Sequence, residues 1–541
     1  MTELQITSEK IEEAVKLSVL TRNTDPLLSL SSPEITIPSI KPYELYSVIK
    51  NVGINDSTEL LSFASPEQIQ CFLDFDCWNR DNFLLAPFFD WTSALLSLGY
   101  EKIHTVFQNL DEEIISLILL KSCIIYNLRE GDPPDDDIPH FQTPDSFFEI
   151  SPAEGVNEDI WKNIIQLINY LYAGDINFAI STLTKSVWEL PTLLEEQAYH
   201  WMNNRLEEKG FINYLDALSI YRFIPPENVT LDEVSIPLHI RESRVSLETA
   251  KYWDPSSDIL EFMDQLSDDE IHSIRLQIAA LINKMSSADT IPIDDDDGLR
   301  KLSELASSTI QLGLEFITKG DTLKIPVALH NISIQRIFRV GYSLLLQLKG
   351  LSQTLSRSGH ISLTPRSFTL LEGSWSDFYR SLVNSHPVLH LGLKGNNEVV
   401  YFKTLRDVKW AGDIIEDMSS LKSLVFLGSS LNASLLTDSG VKHTNRKHPA
   451  EITFGDLLRT GLMLHHFNLP EYSIPEEKHI DLWINNHPSM EESTVSLMIK
   501  MKKNLKKHGI DDIPRLERIV ATHLEPLYSG ENIKNIVIYK K

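Results

Sequence analysis

Cysteine is scarce in this chain. Three thiols in 541 residues, Cys71, Cys77 and Cys123, are too few for a disulfide framework, and without CxxC spacing they suggest no zinc site. So sparse and odd a set fits a reducing compartment, so the expectation is a cytoplasmic protein with its thiols buried as small hydrophobes. Long apolar runs are missing too. The strongest, Ile114 to Leu120, is stopped by Lys121, and the apolar stretch from Ile334 to Leu351 is broken by Arg336, Arg339 and Lys349. Both fall short of the roughly 20 uninterrupted residues a membrane span needs, so no membrane insertion is expected. Met1 to Lys16 is polar and charged where a secretory signal would be apolar. Also absent are the GxxxxGK[ST] phosphate loop, the GxGxxG dinucleotide turn, HExxH, GxSxG and an EF-hand loop. These absences remove the enzyme classes that announce themselves by motif, and the sequence leans away from an enzyme.

Basic residues are short in the first part of the chain. Residues 1–320 hold 22 Lys and Arg against 54 Asp and Glu, a net of −32, whereas residues 321–541 hold 27 against 22, a net of +5. A field that negative repels phosphate backbones, so nucleic acid is not an expected partner of the first 320 residues. It suits a well-solvated surface, a cation or a basic partner. What the chain does have is apolar material, 42% of its residues, with 23% charged, which is globular composition long enough for two to four domains.

Helical periodicity dominates, and an all-α fold is expected. Two acidic, proline-bearing breaks, Gly131 to Pro139 and Ile291 to Gly298, read as exposed connections. They divide the chain into a loosely structured leader (1–40), a repeat domain (41–130), a linker (131–150), a second helical domain (151–290), a short linker (291–298) and a C-terminal helical domain (299–541). Ser65-Pro66-Glu67-Gln68 is a strong helix start, with Ser65 as cap and Gln68 closing a capping box. An internal repeat stands out. Gly53 precedes Ser65 by the same interval that Gly99 precedes Asp111, and the copies are offset by 46 residues. The alignment pairs Val52 with Leu98, Leu60 with Val106, Leu61 with Phe107, Ile69 with Ile115, Phe72 with Ile118 and Leu73 with Leu119. That period suits superhelical helix-pair units of the HEAT or armadillo kind. A third stretch, Gly174 to Ser186, keeps the spacing but loses the apolar register and is not counted. Beyond residue 299 the expected helices are Ser333–Ser356, Trp410–Leu427, Phe454–Phe467, Glu491–His508 and Pro514–Leu527. Strand-like runs are confined to Val399–Phe402 and Ile536–Tyr539.

Three groups of residues are candidates for chemistry. Asp74, Asp76 and Asp81 fall at or just beyond the end of the helix begun at Ser65. Carboxylates there oppose the helix dipole and need compensation, which a hard cation such as Mg²⁺, or simply Arg80, can supply. Between Trp188 and Pro226, Leu194, Ala198, Trp201 and Arg205 share one helical face anchored by Trp201. Glu196, His200, Asn203 and Glu207 form a second stripe that is either a metal- or proton-handling pair or an exposed polar face. Twelve of the 17 histidines lie after residue 321, among them His479 and His487 flanking Asp481, whose spacing matches no specific metal site. Lys500, Lys502, Lys503, Lys506 and Lys507 invite a nucleic-acid reading. They follow Glu491 and Glu492 on a helix whose expected buried stripe is Met498, Met501 and Leu505, so the helix dipole accounts for them without a ligand.

Several phrases resemble a bacterial protein family of about this length with no assigned function. They are Glu44-Leu45, Ile49-Lys50-Asn51-Val52-Gly53, Ala64-Ser65-Pro66-Glu67-Gln68, Leu73-Asp74-Phe75-Asp76-Cys77-Trp78, Trp188-Glu189-Leu190-Pro191, Gly210-Phe211 and Glu451-Ile452-Thr453-Phe454-Gly455-Asp456-Leu457-Leu458. The resemblance is full-length and implies no activity. Residues 42–128 also look distantly like the superhelical cytosolic domain of MgtE-type magnesium transporters, a likeness that implies short stacked helices with acidic Mg²⁺-binding surfaces. The expected role is that of a protein-interaction or scaffold module with another protein as partner. The alternatives are a metal-dependent enzyme or Mg²⁺-sensing protein using these Asp, Glu and His clusters, and a nucleic-acid-associated factor working through the C-terminal part.

Overall fold

Helices account for most of the chain, as the periodicity predicts. The computed structural model describes residues 3–131, 138–209, 211–231, 266–292, 294–362, 369–429, 431, 436–510 and 516–540. It divides into two compact units, Met1–Ile220 with Leu266–Ala306, and Tyr221–Ser235 with Ser307–Lys541. No helix among the described residues is long and apolar enough to cross a membrane.

The first unit opens with helices where a loosely structured leader is expected. These are α1 (Glu3–Thr21), a turn at Asp25–Leu28 and α2 (Pro33–Ser39). Pro26 and Pro33 occupy first-turn positions, and Leu27 and Ile37 are fully buried. Then follow α3 (Pro42–Val52), α4 (Thr58–Phe63), α5 (Pro66–Asp76), α6 (Leu85–Ser97), α7 (Tyr100–Phe107) and α8 (Glu112–Ser122). The two aligned segments adopt the same local structure. Gly53 (φ +116°) ends α3 and Gly99 (φ +95°) follows α6, a conformation side chains other than glycine resist. A short helix comes next, then a helix of 11 residues in each copy. The paired positions 60/106, 61/107, 69/115, 72/118 and 73/119 are all buried. Lys102 Nζ of the second copy donates to the Ser62 carbonyl at 2.9 Å, at the end of α4 in the first. The copies differ at their caps. Ser65 and Gln68 form the expected reciprocal box, with Gln68 N to Ser65 Oγ at 3.2 Å and Ser65 N to Gln68 Oε1 at 2.8 Å. Asp111 makes no cap bond; its carboxylate is held by Arg205.

Cys123 leads directly from α8 into an antiparallel sheet that periodicity did not reveal. Strand β3 (Cys123–Asn127) pairs with β5 (Phe148–Pro152), which pairs with β4 (Phe141–Gln142); the two-stranded hairpin β1 (Trp78–Asn79) and β2 (Asn82–Phe83) precedes them. Most of the acidic break at 131–139, namely 132–137, lies outside the described residues. Helices α9 (Glu158–Gly174), α10 (Ile176–Trp188) and α11 (Pro191–Glu208) complete the core around Leu167, Leu183, Leu194 and Ala198. After residue 266 come α12 (Asp268–Asp289) and α13 (Asp296–Thr318). The break at 291–298 is a tight turn inside this unit. Thr290 is left-handed, Ser286 Oγ donates to the Ile291 carbonyl at 2.8 Å, and Asp295 Oδ1 accepts from Gly298 N at 2.9 Å. Ile293 within it lies outside the described residues.

The second unit is built on a close helix crossing and a buried arginine. Helix α14 (Ile325–Asn331) precedes α15 (Ile334–Ser358), which lies against the end of α13. A Cβ on Gly313 would sit 2.2 Å from the Ile337 carbonyl, and one on Gly341 2.1 Å from that of Thr309, so both glycines are needed for backbones to touch. Then come α16 (Gly373–Val383), the strand pair β6 (Leu389–His390) and β7 (Val399–Val400), α17 (Leu405–Ser423), α18 (Phe454–His466), α19 (Glu477–Asn485), α20 (Met490–Lys507) and α21 (Leu516–Leu524). The expected strand at 536–539 is instead a helical turn, Ile533–Ile536, followed by an extended end whose Tyr539 carbonyl accepts from Asn445 N at 3.0 Å and whose N–H donates to Asn445 Oδ1 at 3.2 Å. Pro514, expected to open the last helix, lies outside the described residues.

Arg459 is 1% exposed and uses five hydrogen bonds. Its fork grips Glu372 at 2.9 and 2.8 Å, and it also reaches Asp456 and the carbonyls of His523 and Ile536. Thr453 and Asp456 cap α18 while also facing Glu372 and Arg446. Gly455 completes the arrangement: a Cβ there would fall 1.4 Å from Glu372 Oε1. The Thr453-Phe454-Gly455-Asp456 phrase is therefore structural, a cap that leaves room for a carboxylate.

Candidate functional site

The aspartates at the end of α5 are ion-paired by cations from other helices. Asp74 is buried and receives a bidentate fork from Arg205 of α11, Nε to Oδ2 and Nη2 to Oδ1, both at 2.8 Å. Arg205 Nη1 also contacts Asp111, so one side chain ties α5, α11 and the start of α8. Burial pushes the Asp74 carboxyl up against the pull of this fork, and the same contacts keep Arg205 firmly charged despite its own burial. Asp76 accepts from Lys50 Nζ at 2.9 Å, Trp91 Nε1 at 2.8 Å and Tyr46 OH at 3.2 Å. Burial, then the Asp76 charge, drives the Tyr46 phenol far above its ordinary value. Asp81 lies apart from both, exposed in the two-residue turn of the β1–β2 hairpin beside Arg80, whose φ is +59°. Among the described residues no three His, Cys, Asp or Glu side chains are grouped to hold a metal ion. Burial raises all three thiols, Cys123 to about 12, which keeps them protonated and unreactive.

Asp74 and Asp76 form part of the wall of a cavity of about 750 Å³ in the first unit. Its other walls come from α1 (Val15, Val19), α3 (Tyr43, Glu44, Ser47), the β1 strand (Trp78, Asn79), α11 (Tyr199, Met202, Asn203, Leu206), the segment Phe211–Tyr214, and α12 with the turn after it (Asn283, Ser286, Ile291). The rings are grouped. Phe211 stands edge-on to Phe75 with centroids 5.0 Å apart and to Tyr43 at 6.3 Å, and Trp78 lies 5.6 Å from Tyr199. Among described lining residues five are carboxylates, Glu12, Glu44, Asp74, Asp76 and Asp296, and two are cations, Lys16 and Arg80. Arg80 sits over the Tyr214 ring at 5.2 Å. No histidine or cysteine is among them.

The sequence pointed to the neighbourhood but not to the site. Trp201 does not anchor the buried face of α11: it is 50% exposed, and Met202 takes its place. Leu194 and Ala198 step by four, and the next step of four reaches 202, so the face runs Leu194, Ala198, Met202, Arg205. Glu196, His200 and Glu207 are exposed; His200 meets Asn204 at 3.3 Å, and Glu207 accepts from Asn213 at 3.2 Å. The half-buried flank between these faces, Tyr199, Asn203 and Leu206, is what lines the cavity. His479, Asp481 and His487 also have separate tasks. His479 caps α19, Asp481 pairs with Lys534, and His487 stacks on Trp483. On α20 the buried stripe is Leu497, Met501 and Leu505, with Met498 half-buried, and Lys502, Lys503, Lys506 and Lys507 are exposed.

The chain belongs to a family of unknown function, DUF6178, whose match covers residues 5–466. That match carries the full-length resemblance and reaches just past Arg459. No curated protein and no solved structure matches the chain, so neither comparison returns an MgtE-type domain for residues 42–128.

Proposed function

We propose that the first unit is a receptor for a small organic molecule held in the cavity bounded by α1, α3, α5 and α11. The observation that carries this reading is the cavity itself. Its size falls in the range of ligand pockets, and it is walled by rings from separate elements with charged and polar side chains set among them. Arg205 and Lys50 hold Asp74 and Asp76 from behind, which fixes the wall before a ligand arrives. The lining offers no nucleophile paired with a base, which favours binding over catalysis. The test is titration of the purified chain with the neutral fluorophore N-phenyl-1-naphthylamine. One equivalent should bind, and Val19→Trp, which fills the cavity from α1, should abolish the signal while the circular dichroism stays unchanged. A folded wild type that leaves the probe in water refutes the reading, as does binding that Val19→Trp leaves untouched.

A second reading, a protein-interaction module, is supported by an exposed apolar stripe. Trp188, Leu190, Leu193 and Trp201 are 44–68% exposed at the end of α10 and along α11. Its proposed occupant is a second copy of the chain, whose α20 exposes Val495 and Ile499 ahead of Lys502 and Lys503, opposite in charge to the acidic first 320 residues. Light scattering should then show salt-sensitive self-association that is lost in both Trp201→Asp and Ile499→Asp. A monomer at every concentration and salt removes this reading.

A further inference from the structure

We infer that the cavity takes an amphipathic organic cation, a molecule with an ammonium group on an apolar body; this rests on the cavity being a ligand site. Tyr43, Phe75 and Phe211 meet at steep angles, with interplanar angles of 73° at both contacts of Phe211, so faces and edges form a corner instead of a stack. Ring faces turned toward one point attract a desolvated cation, the arrangement that recognises ammonium ligands. Glu44 stands beside this corner, 9% exposed, accepting from Tyr43 OH at 3.1 Å. The chain already places an ammonium group against this surface. Lys41 Nζ is 5.7 Å from the Tyr43 centroid and 3.4 Å from Glu44.

The charge of the lining points the same way. Five carboxylates line the cavity against two cations, and although Arg205, Lys50 and Lys41 are set against Asp74, Asp76 and Glu44 from outside the lining, the cavity lies within a segment that is itself strongly acidic. An anionic head would meet that field with Lys16 and Arg80 as the lining's cations, whereas a cationic head is drawn in. The apolar body has Val15, Val19, Met202 and Leu206 to lie against.

Three probes with one chain length separate the head group from the cavity: octyltrimethylammonium, octanol and octanoate, titrated calorimetrically into the full chain. The ammonium should bind about tenfold tighter than octanol, with octanoate weakest. Phe211→Leu and Glu44→Gln should each erase most of the ammonium preference over octanol, with unchanged circular dichroism showing that the variants are folded. If octanol binds and the ammonium gains nothing over it, or octanoate is preferred, the cation is wrong and the cavity reading survives. If none of the three binds the folded protein, both fall.

Discussion

Each unit contains an arginine that forks onto a carboxylate, Asp74 buried in the first and Glu372 half-buried in the second, and the two serve different ends. Arg459 has all its donors engaged, by Glu372, Asp456 and two backbone carbonyls, in a core where even a neighbouring methyl group is excluded at Gly455. Arg205 makes three such bonds, to Asp74 and Asp111, and the carboxylate it holds faces a cavity. The same guanidinium geometry thus closes one region and props another open. The difference lies in what surrounds the fork: carbonyls and a tight helix start in the second unit, half-buried aromatic flanks in the first.

The largest effect expected from breaking this comparison is Arg459→Met. It removes five hydrogen bonds, leaves Glu372 with only the Thr453 hydroxyl and Asp456 with Arg446, and should cost about 3–5 kcal/mol, read as a lower urea midpoint for the second unit. Arg205→Met should cost less, about 2–3 kcal/mol, because Arg205 is partly exposed. It should also weaken N-phenyl-1-naphthylamine binding, which Arg459→Met should leave unchanged at temperatures where the chain is folded. Adding Asp74→Leu to Arg205→Met should recover much of the stability but not the binding, measured on the same samples. Gly455→Ala should destabilise by about 1–3 kcal/mol in thermal melts, since Glu372 must shift to admit the methyl.

The smallest expected effect is on pH dependence. Burial alone would raise the Glu372 carboxyl, but the Arg459 fork and the Thr453 hydroxyl hold it below its ordinary 4.5. A folded value below the unfolded one gives stability that is present above pH 4.5 and is lost as pH falls through the lowered value. Glu372→Gln should therefore flatten the acid limb of urea midpoints measured down to about pH 3.5. Asp456, pushed up by burial in the same cluster, does not add to that limb.

Local signals were read well where one residue settles the outcome. Ser65 and Gln68 formed their box, Gly53 and Gly99 took positive φ, and five of the six aligned apolar pairs of the two copies were buried, Val52 and Leu98 being half-buried. Misreadings came where a neighbour outside the window decided. Asp111 carries a cap residue's side chain, yet Arg205, 94 positions away, claims it. Cys123–Asn127, Phe141–Gln142 and Phe148–Pro152 form a sheet because the partner strands lie across a connection that periodicity cannot span. The aspartates at 74 and 76 were singled out by their place at a helix end, but their compensating charges come from Arg205 and Lys50, not from a neighbour in sequence.

By itself, the sequence determined the helical class and helix starts such as those at Ser65, Ser333 and Thr453, because capping, dipole and 3.6-residue periodicity act within a few residues of one another. Only the tertiary structure decided which carboxylate meets which cation, and that six rings from distant segments enclose a space. Ion pairs and cavities are set by how helix faces meet, and no window along the chain contains that information.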